Sequence, residues 1–247
     1  MTADPPGPGQ VDLRTRDTAV RELMDDPDCE PARLAATLRR FRIVNRLVAG
    51  WDGVYRRRLR PHLAALSAQG RTARVLDLGS GGGDMVARLA RLARRDGFAV
   101  EWLGADPDPR AHAVASALAV PELRFRSADS ATLRAEGQVF DAVLSNHVLH
   151  HLEAAELHRF ADDSLALSRG LVLHGDIARS RAAYGLYAVG ITPLAPGTFL
   201  RTDGLRSIRR SYRAAELADA LGAPWRIETP GAFRVLAVAR GRADAHG

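Results

Sequence analysis

The chain has 247 residues, 46% of them apolar, enough for one domain with a full core and an appendage. Its single cysteine, Cys29, excludes an internal disulfide framework and a cysteine-rich metal site, and suits a reducing cytoplasm. All 35 basic residues are arginine, so lysine chemistry is excluded and the proton acceptors left are histidine, carboxylate, tyrosine and Cys29.

The first residues, Met1 to Gly9, have neither a basic n-region nor an apolar h-region, so they do not read as a signal peptide; residues 1–18 are expected to be a disordered lead. Residues 19–70 read as a cap of two or three helices. Ala35, Leu38, Phe41, Ile43, Val44 and Leu47 recur at helical spacing, Gly50 interrupts, Trp51, Val54, Tyr55 and Leu59 resume, and Pro61 opens a short last helix closed by Gly70. The net charge of +6 gathers here, in Arg39, Arg40, Arg42 and Arg46, then Arg56, Arg57, Arg58 and Arg60. Few aromatics interleave and no RNA-binding motif is present, so nucleic acid is not expected. This is a solvated helix face or a surface for anionic lipid, an acidic group or a partner.

From residue 71 strands and helices alternate, which specifies a mostly parallel sheet covered on both faces: an α/β fold. Strands are expected at Ala73–Leu78, Ala99–Ala105, Glu122–Arg126, Phe140–Ser145 and Leu171–Gly175. Helices are expected at Asp84–Arg95, from Pro109 to Ala117, around Ala131–Arg134, and from Glu153 to Ser168 with a stop at Gly170. A long connection, about 178–211, follows. Its stretch Ala182–Leu200 carries no charge, but its glycines and prolines argue against a membrane span, and it reads as an apolar lid. A helix from Arg213 and two last strands around Thr229-Pro230-Gly231 complete seven strands with an antiparallel hairpin.

The first chemical motif is Asp77-x-Gly79-Ser80-Gly81-x-Gly83-Asp84, a glycine turn between strand and helix that presents backbone N–H groups. The dinucleotide pattern fails, because its last glycine falls on Asp84 or Val86, and the phosphate-loop lysine is absent. Acids on both sides of the turn would repel a pyrophosphate and suit a ligand with a cationic part, such as S-adenosylmethionine. Asp106, followed by Pro107 at the tip of strand two, is placed to accept ribose hydroxyls, while Asp108 serves as the helix cap. Asp129, with Ser130, ends strand three where an acid can accept an adenine amino group. Asn146 to His151 follow strand four, and His147, His150 and His151 stand at i, i+3 and i+4. That spacing can place metal ligands on one face, but no further ligand motif accompanies it, and no metal is expected.

These four motifs, in this order, resemble the class I S-adenosylmethionine-dependent methyltransferases, with their Rossmann-like seven-stranded sheet. Magnesium-using catechol enzymes of that kind have paired acids where this chain has Asn146. The blocks Arg21 to Asp28, Asn45 to Trp51 and Asp203 to Arg210 are similar to a bacterial subgroup linked to type III polyketide and phenolic-lipid pathways, and more distantly to quinone-biosynthesis methyltransferases. One departure is local: that subgroup starts the helix after residue 212 with Thr-Pro, where this chain has Arg213-Ala214.

The resemblance implies O-methylation of a phenolic polyketide or phenolic lipid in secondary metabolism. The rivals are C-methylation of a quinone precursor and a non-catalytic S-adenosylmethionine-binding protein. Asp77, Gly79, Ser80, Gly81, Asp106, Pro107, Asp129, Ser130 and Asn146 would then hold the cofactor. A phenol benefits from losing its proton, and His147 and His150 are the first candidates for that base, His151 the third and His174 a fallback. Trp51, Tyr55, Tyr184, Tyr187 and Phe199 are candidates for the substrate pocket, with Arg206, Arg209 or Arg210 to orient a phenolate or carboxylate.

Overall fold

The computed structural model describes residues 11–243, apart from the side chains of Leu47 and Val48. Seven strands form one sheet in the order β3-β2-β1-β4-β5-β7-β6. Strands β1 (Ala73–Leu78), β2 (Val100–Asp106), β3 (Leu123–Ser127), β4 (Phe140–Asn146) and β5 (Ser168–Ile177) are parallel. Strand β7 (Arg234–Arg240) runs antiparallel to both β5 and β6 (Arg226–Glu228). Both the α/β class and the closing hairpin agree with the sequence. The order reverses between β1 and β4, so the carboxyl ends of β1, β2 and β4 open a crevice, the usual ligand site of such sheets.

Period-two alternation sorts the core. Ala73 and Val75 of β1 face one layer with Trp51, Tyr55, Leu59, Val86 and Leu89, while Leu76 and Leu78 face the other with Leu133, Phe140, Val143 and Leu165. Asp77 lies on the first face, fully buried at the carboxyl end. Helix α4 (Asp84–Arg95) starts directly after the glycine turn. As expected, α5 (Pro109–Ala115) is capped by Asp108, whose Oδ1 accepts the Arg110 N–H at 2.8 Å. Helix α6 (Ser130–Ala135) and helix α7 (Ala154–Leu167) complete the alternation.

The N-terminal region departs from the sequence expectation. Part of the expected lead lies outside the described residues, but residues 11–18 rest on the body: Leu13 is buried and Arg16 donates to the carbonyls of His150, Leu152 and Arg210. No helix forms over 19–30. The run Asp25-Asp26-Pro27-Asp28 folds locally instead, with Asp26 accepting the Asp28 N–H at 2.9 Å through its side chain and that of Cys29 at 3.1 Å through its carbonyl. Residues 11–30 are therefore a strap, followed by α1 (Pro31–Val48). Helices α2 (Trp51–Val54) and α3 (Arg60–Ser67) are joined without a break by a wide turn, Tyr55–Leu59, so Pro61 opens no new helix. Strand β5 starts at Ser168, before Gly170, not after it. The lid is two helices, α8 (Arg181–Gly190) and α9 (Leu200–Arg210), and the second carries five charged residues. Helix α10 (Ala214–Leu221) leads into the hairpin, with the Arg213 N–H bonded to Glu216 in place of a threonine cap.

Candidate active site

A cavity of about 1280 Å³ lies over the carboxyl ends of β1, β2 and β4, beneath the strap and α8–α9. All nine cofactor candidates, Asp77, Gly79, Ser80, Gly81, Asp106, Pro107, Asp129, Ser130 and Asn146, line it, as do His147, His150 and His151. Of the aromatic candidates, only Tyr187 does. Trp51 packs against Gly175 in the core, and the Tyr55 hydroxyl donates to Asp96 at 2.9 Å. Phe199 is buried with Leu34 and under the Arg33 guanidinium, and half-buried Tyr184 is not on the wall. Arg206 donates to the Arg21 carbonyl, Arg209 pairs with Asp17 and Arg210 donates to the carbonyls of Val20, His150 and His151, so all three hold the strap. Their helical spacing and arginine chemistry are the same for a wall or a brace, which is why the sequence did not separate the two.

The glycine turn is built for close approach. At Gly79 φ is +67° and an added Cβ would stand 2.5 Å from Val148, whereas at Gly81, also left-handed, nothing lies within 4 Å. The Gly81 N–H donates to Asp106 Oδ2 at 2.8 Å and the Asp108 N–H to Oδ1 at 2.9 Å. Each carboxylate oxygen keeps a lone pair for a further donor. Asp129 Oδ1 caps α6 through the Thr132 N–H at 2.8 Å, and Ser130 donates to Asp163.

Asp77 has no hydrogen-bond partner on either oxygen and is wholly enclosed. Burial, then the neighbouring Asp84 and Asp106, push its pKa well above the usual carboxylate range. Asn45 also lines the cavity; its Nδ2 donates to Asp84 at 3.1 Å while its buried Oδ1 has no partner. Three unpartnered acceptors in one cavity call for a donor, and an ammonium with three N–H groups suits them. The donor set therefore fits S-adenosylmethionine: acceptors for its cationic end and Asp106 for hydroxyls.

The three histidines have different fates, each set by residues distant in sequence. His147, at φ +60°, points Nε2 at the Arg234 Nη1, 3.1 Å away, and Arg234 also donates to Asn146 Oδ1. Burial and that guanidinium lower its pKa well below the ordinary range, so the ring is neutral with its lone pair engaged. His150 lies between Asp176 (2.8 Å at Nδ1) and Glu22 (3.2 Å at Nε2). Burial opposes its charge, but the two carboxylates prevail and raise its pKa to about 10, so it is an imidazolium and not a base at neutral pH. His151 is half-buried, with Nδ1 3.2 Å from Asp25 Oδ2. Its Nε2 lies 3.8 Å from Glu22 Oε1. His174 is sealed in the core between Phe160 and Trp225, bonded to Ser145 and off the cavity wall. Glu22, Asp25, Asn45, Asp176 and Arg234 are functional candidates that sequence reasoning missed. The first two lie in the Arg21–Asp28 block and Asn45 begins the second, but no spacing ties any of them to the histidines.

Among the described residues, Glu22, His150 and His151, and likewise His147, His150 and Asp176, bring metal-ligand atoms within 4.8 Å of one another. Both ring nitrogens of His150 are already directed at carboxylates.

A family model described as a methyltransferase domain matches residues 75–168. The ubiquinone biosynthesis O-methyltransferase of Brucella ovis is 32% identical over 123 residues, covering 47% of this chain and 46% of that protein. Its counterpart in Cereibacter sphaeroides is 31% identical over the same shares. The chain thus spans about half the length of the curated relatives it matches. The structure of the plantazolicin methyltransferase BpumL in complex with SAH aligns with a TM-score of 0.52 at 13% identity, over 85% of this chain and 96% of that one. BpumL with a monoazolic desmethylPZN analog and SAH gives 0.53 at 12% identity, over 86% and 96%. Residues 75–168 thus match a methyltransferase domain, and the chain shares its Rossmann-like fold with these methyltransferase structures.

Proposed function

We propose that this protein transfers a methyl group from S-adenosylmethionine to an oxygen of a small phenolic acceptor, with a phenolic polyketide or phenolic lipid as the acceptor class. The observation that carries this reading is the presence, in one cavity, of the unpartnered acceptors of Asp77 and Asn45 and of a His151–Asp25 pair. The relatives' name, which places their chemistry on oxygen in ubiquinone biosynthesis, supports an O-methyl product and a ring-bearing acceptor. The cofactor, when bound, supplies an electrophilic methyl group on a sulfonium.

The chain's own residues align the acceptor, remove its proton and exclude water. His151 Nε2 takes the phenolic proton, while Asp25 holds the Nδ1–H and stabilises the resulting imidazolium. Burial opposes ionisation of Asp25, but the hydrogen bond and charge of His151 outweigh it, so its carboxylate stays below the usual range and ready for this role. Leu186, Tyr187, Ile191 and Phe233 give the acceptor an apolar wall. Because His150 is charged, with both nitrogens engaged, no metal is assigned to the cluster.

His151→Ala and Asp25→Asn test the assignment. Both variants should bind S-adenosylmethionine as the parent does. The first should lose about 10²–10⁴-fold in kcat. In Asp25→Asn kcat should fall as well, with S-adenosylmethionine affinity unchanged, because the ring loses the carboxylate that orients it. Full kcat in His151→Ala would remove the base from this residue.

A further inference from the structure

Helix α8 turns Ala183 and Tyr187 toward the body. Leu186 and Val189, three residues apart and so on one helix face, stand 65% and 76% exposed. Leu186 also lines the cavity, so this face begins at the cavity's mouth. Helix α1 packs on the lid through Val44, which joins Ile191 and Leu200 in one cluster, and Arg40 Nη1 donates to the Leu194 carbonyl at 3.0 Å. Along α1, Arg39, Arg42, Ile43 and Arg46 fall at i, i+3, i+4 and i+7, and all four are exposed. Arg181 and Arg201 are exposed at the starts of α8 and α9. No acid occurs from Pro31 to Trp51 or from Ile177 to Thr202. Large aliphatic side chains thus stand in water among arginines that form no ion pair among the described residues, although Arg42 faces Asp84 and Arg46 faces Asp52 across neighbouring elements, around the entrance to a largely apolar lid.

We propose that this face docks on an anionic lipid bilayer, with Val189, Leu186 and Ile43 entering the interfacial layer and Arg39, Arg42 and Arg46 meeting lipid phosphates. Aliphatic prongs within a basic field match a bilayer's apolar interior and negative surface together. Single-stranded nucleic acid would instead use stacking aromatics, which this face lacks. A second copy would oppose like charges. Docking in this orientation turns the cavity mouth toward an acceptor dissolved in the bilayer, but vesicle binding itself needs no acceptor and no cofactor.

The test is co-sedimentation of the full chain with vesicles of phosphatidylcholine alone and of equimolar phosphatidylcholine and phosphatidylglycerol. Binding is expected to the anionic vesicles only and to weaken as salt is raised. Val189→Asp with Ile43→Asp should reduce the partition coefficient at least about tenfold. Arg39→Gln, Arg42→Gln and Arg46→Gln together should reduce it about a hundredfold. All these positions are exposed, and unchanged thermal melts would show that the variants fold. Equal partition onto both vesicle types, or parental partition by both variants, would overturn the proposal. So would tighter binding to single-stranded DNA than to anionic vesicles, or a dimer in sedimentation velocity that the aspartate variant dissolves.

Discussion

At the scale of single residues, three histidines that look equivalent in sequence meet three different surroundings. Their i, i+3, i+4 spacing was legible; the protonation of His147 and His150 was not, because it is set by Glu22, Asp176 and Arg234, which the fold brings in from far along the chain. The proposed order of preference is therefore reversed: His150 is a buried cation, and His151 is the residue proposed as the base. Replacing His150 by alanine strands Asp176 and Glu22 without a cation, and should cost roughly 3–5 kcal/mol in denaturant unfolding. The raised pKa gives that stabilisation a sign with pH. It is complete below the unfolded value of 6.5 and is lost as pH rises through about 10, so the parent should weaken over that window and His150→Gln should not show this slope. Asp77 makes a second prediction. Burial favours its protonated form in the empty site and a cationic ligand favours its carboxylate, so S-adenosylmethionine binding should be coupled to proton release and weaken on acidification. Calorimetry in buffers of different ionisation enthalpy measures that proton; no release would deny Asp77 its cationic partner.

At the scale of elements, the first four strands and the helices between them were readable within a residue or two, because each has a clean period and a marked start, while β5 extends further at both ends than expected. Asp77-x-Gly79-x-Gly81 fixed the first turn, and Asp108 capped its helix as expected. The strap was expected to be a disordered lead over 11–18 and the start of the helical cap over 19–30, because its hold on the fold comes from side chains of other elements. Asp203 on α9 is fully buried and accepts the N–H of Leu23 at 2.8 Å and of Met24 at 3.0 Å. Arg16 and Arg210 add carbonyl contacts on both sides. Replacing Asp203 by alanine leaves two donors without acceptors and should cost about 1–3 kcal/mol. Hydrogen exchange at Leu23 and Met24 should then accelerate while β1 and β4 stay protected. Unchanged exchange in the strap would show that it is held by other means.

At the scale of the whole molecule, a sheet whose order reverses between β1 and β4 gathers four separated motifs at one edge, and a lid and strap close over them. That convergence was legible because each motif ends a strand. The lid's apolar character was legible too, but the aromatic residues assigned to its pocket were not separable from core: Trp51, Tyr55 and Phe199 are buried against the body, and only Tyr187 reaches the cavity. Among the described residues no helix is long and apolar enough to cross a membrane. The cavity is proposed to join a methyl donor to a phenolic oxygen. The most direct measurement is transfer of a labelled methyl group from S-adenosylmethionine to alkylresorcinols, simpler phenols and quinols, with and without EDTA, and the methylated atom read by NMR. The expected result is a methyl group on a phenolic oxygen at a rate that EDTA does not change. A methyl group on a ring carbon, or bound cofactor with no transfer to any of these acceptors, would contradict the account.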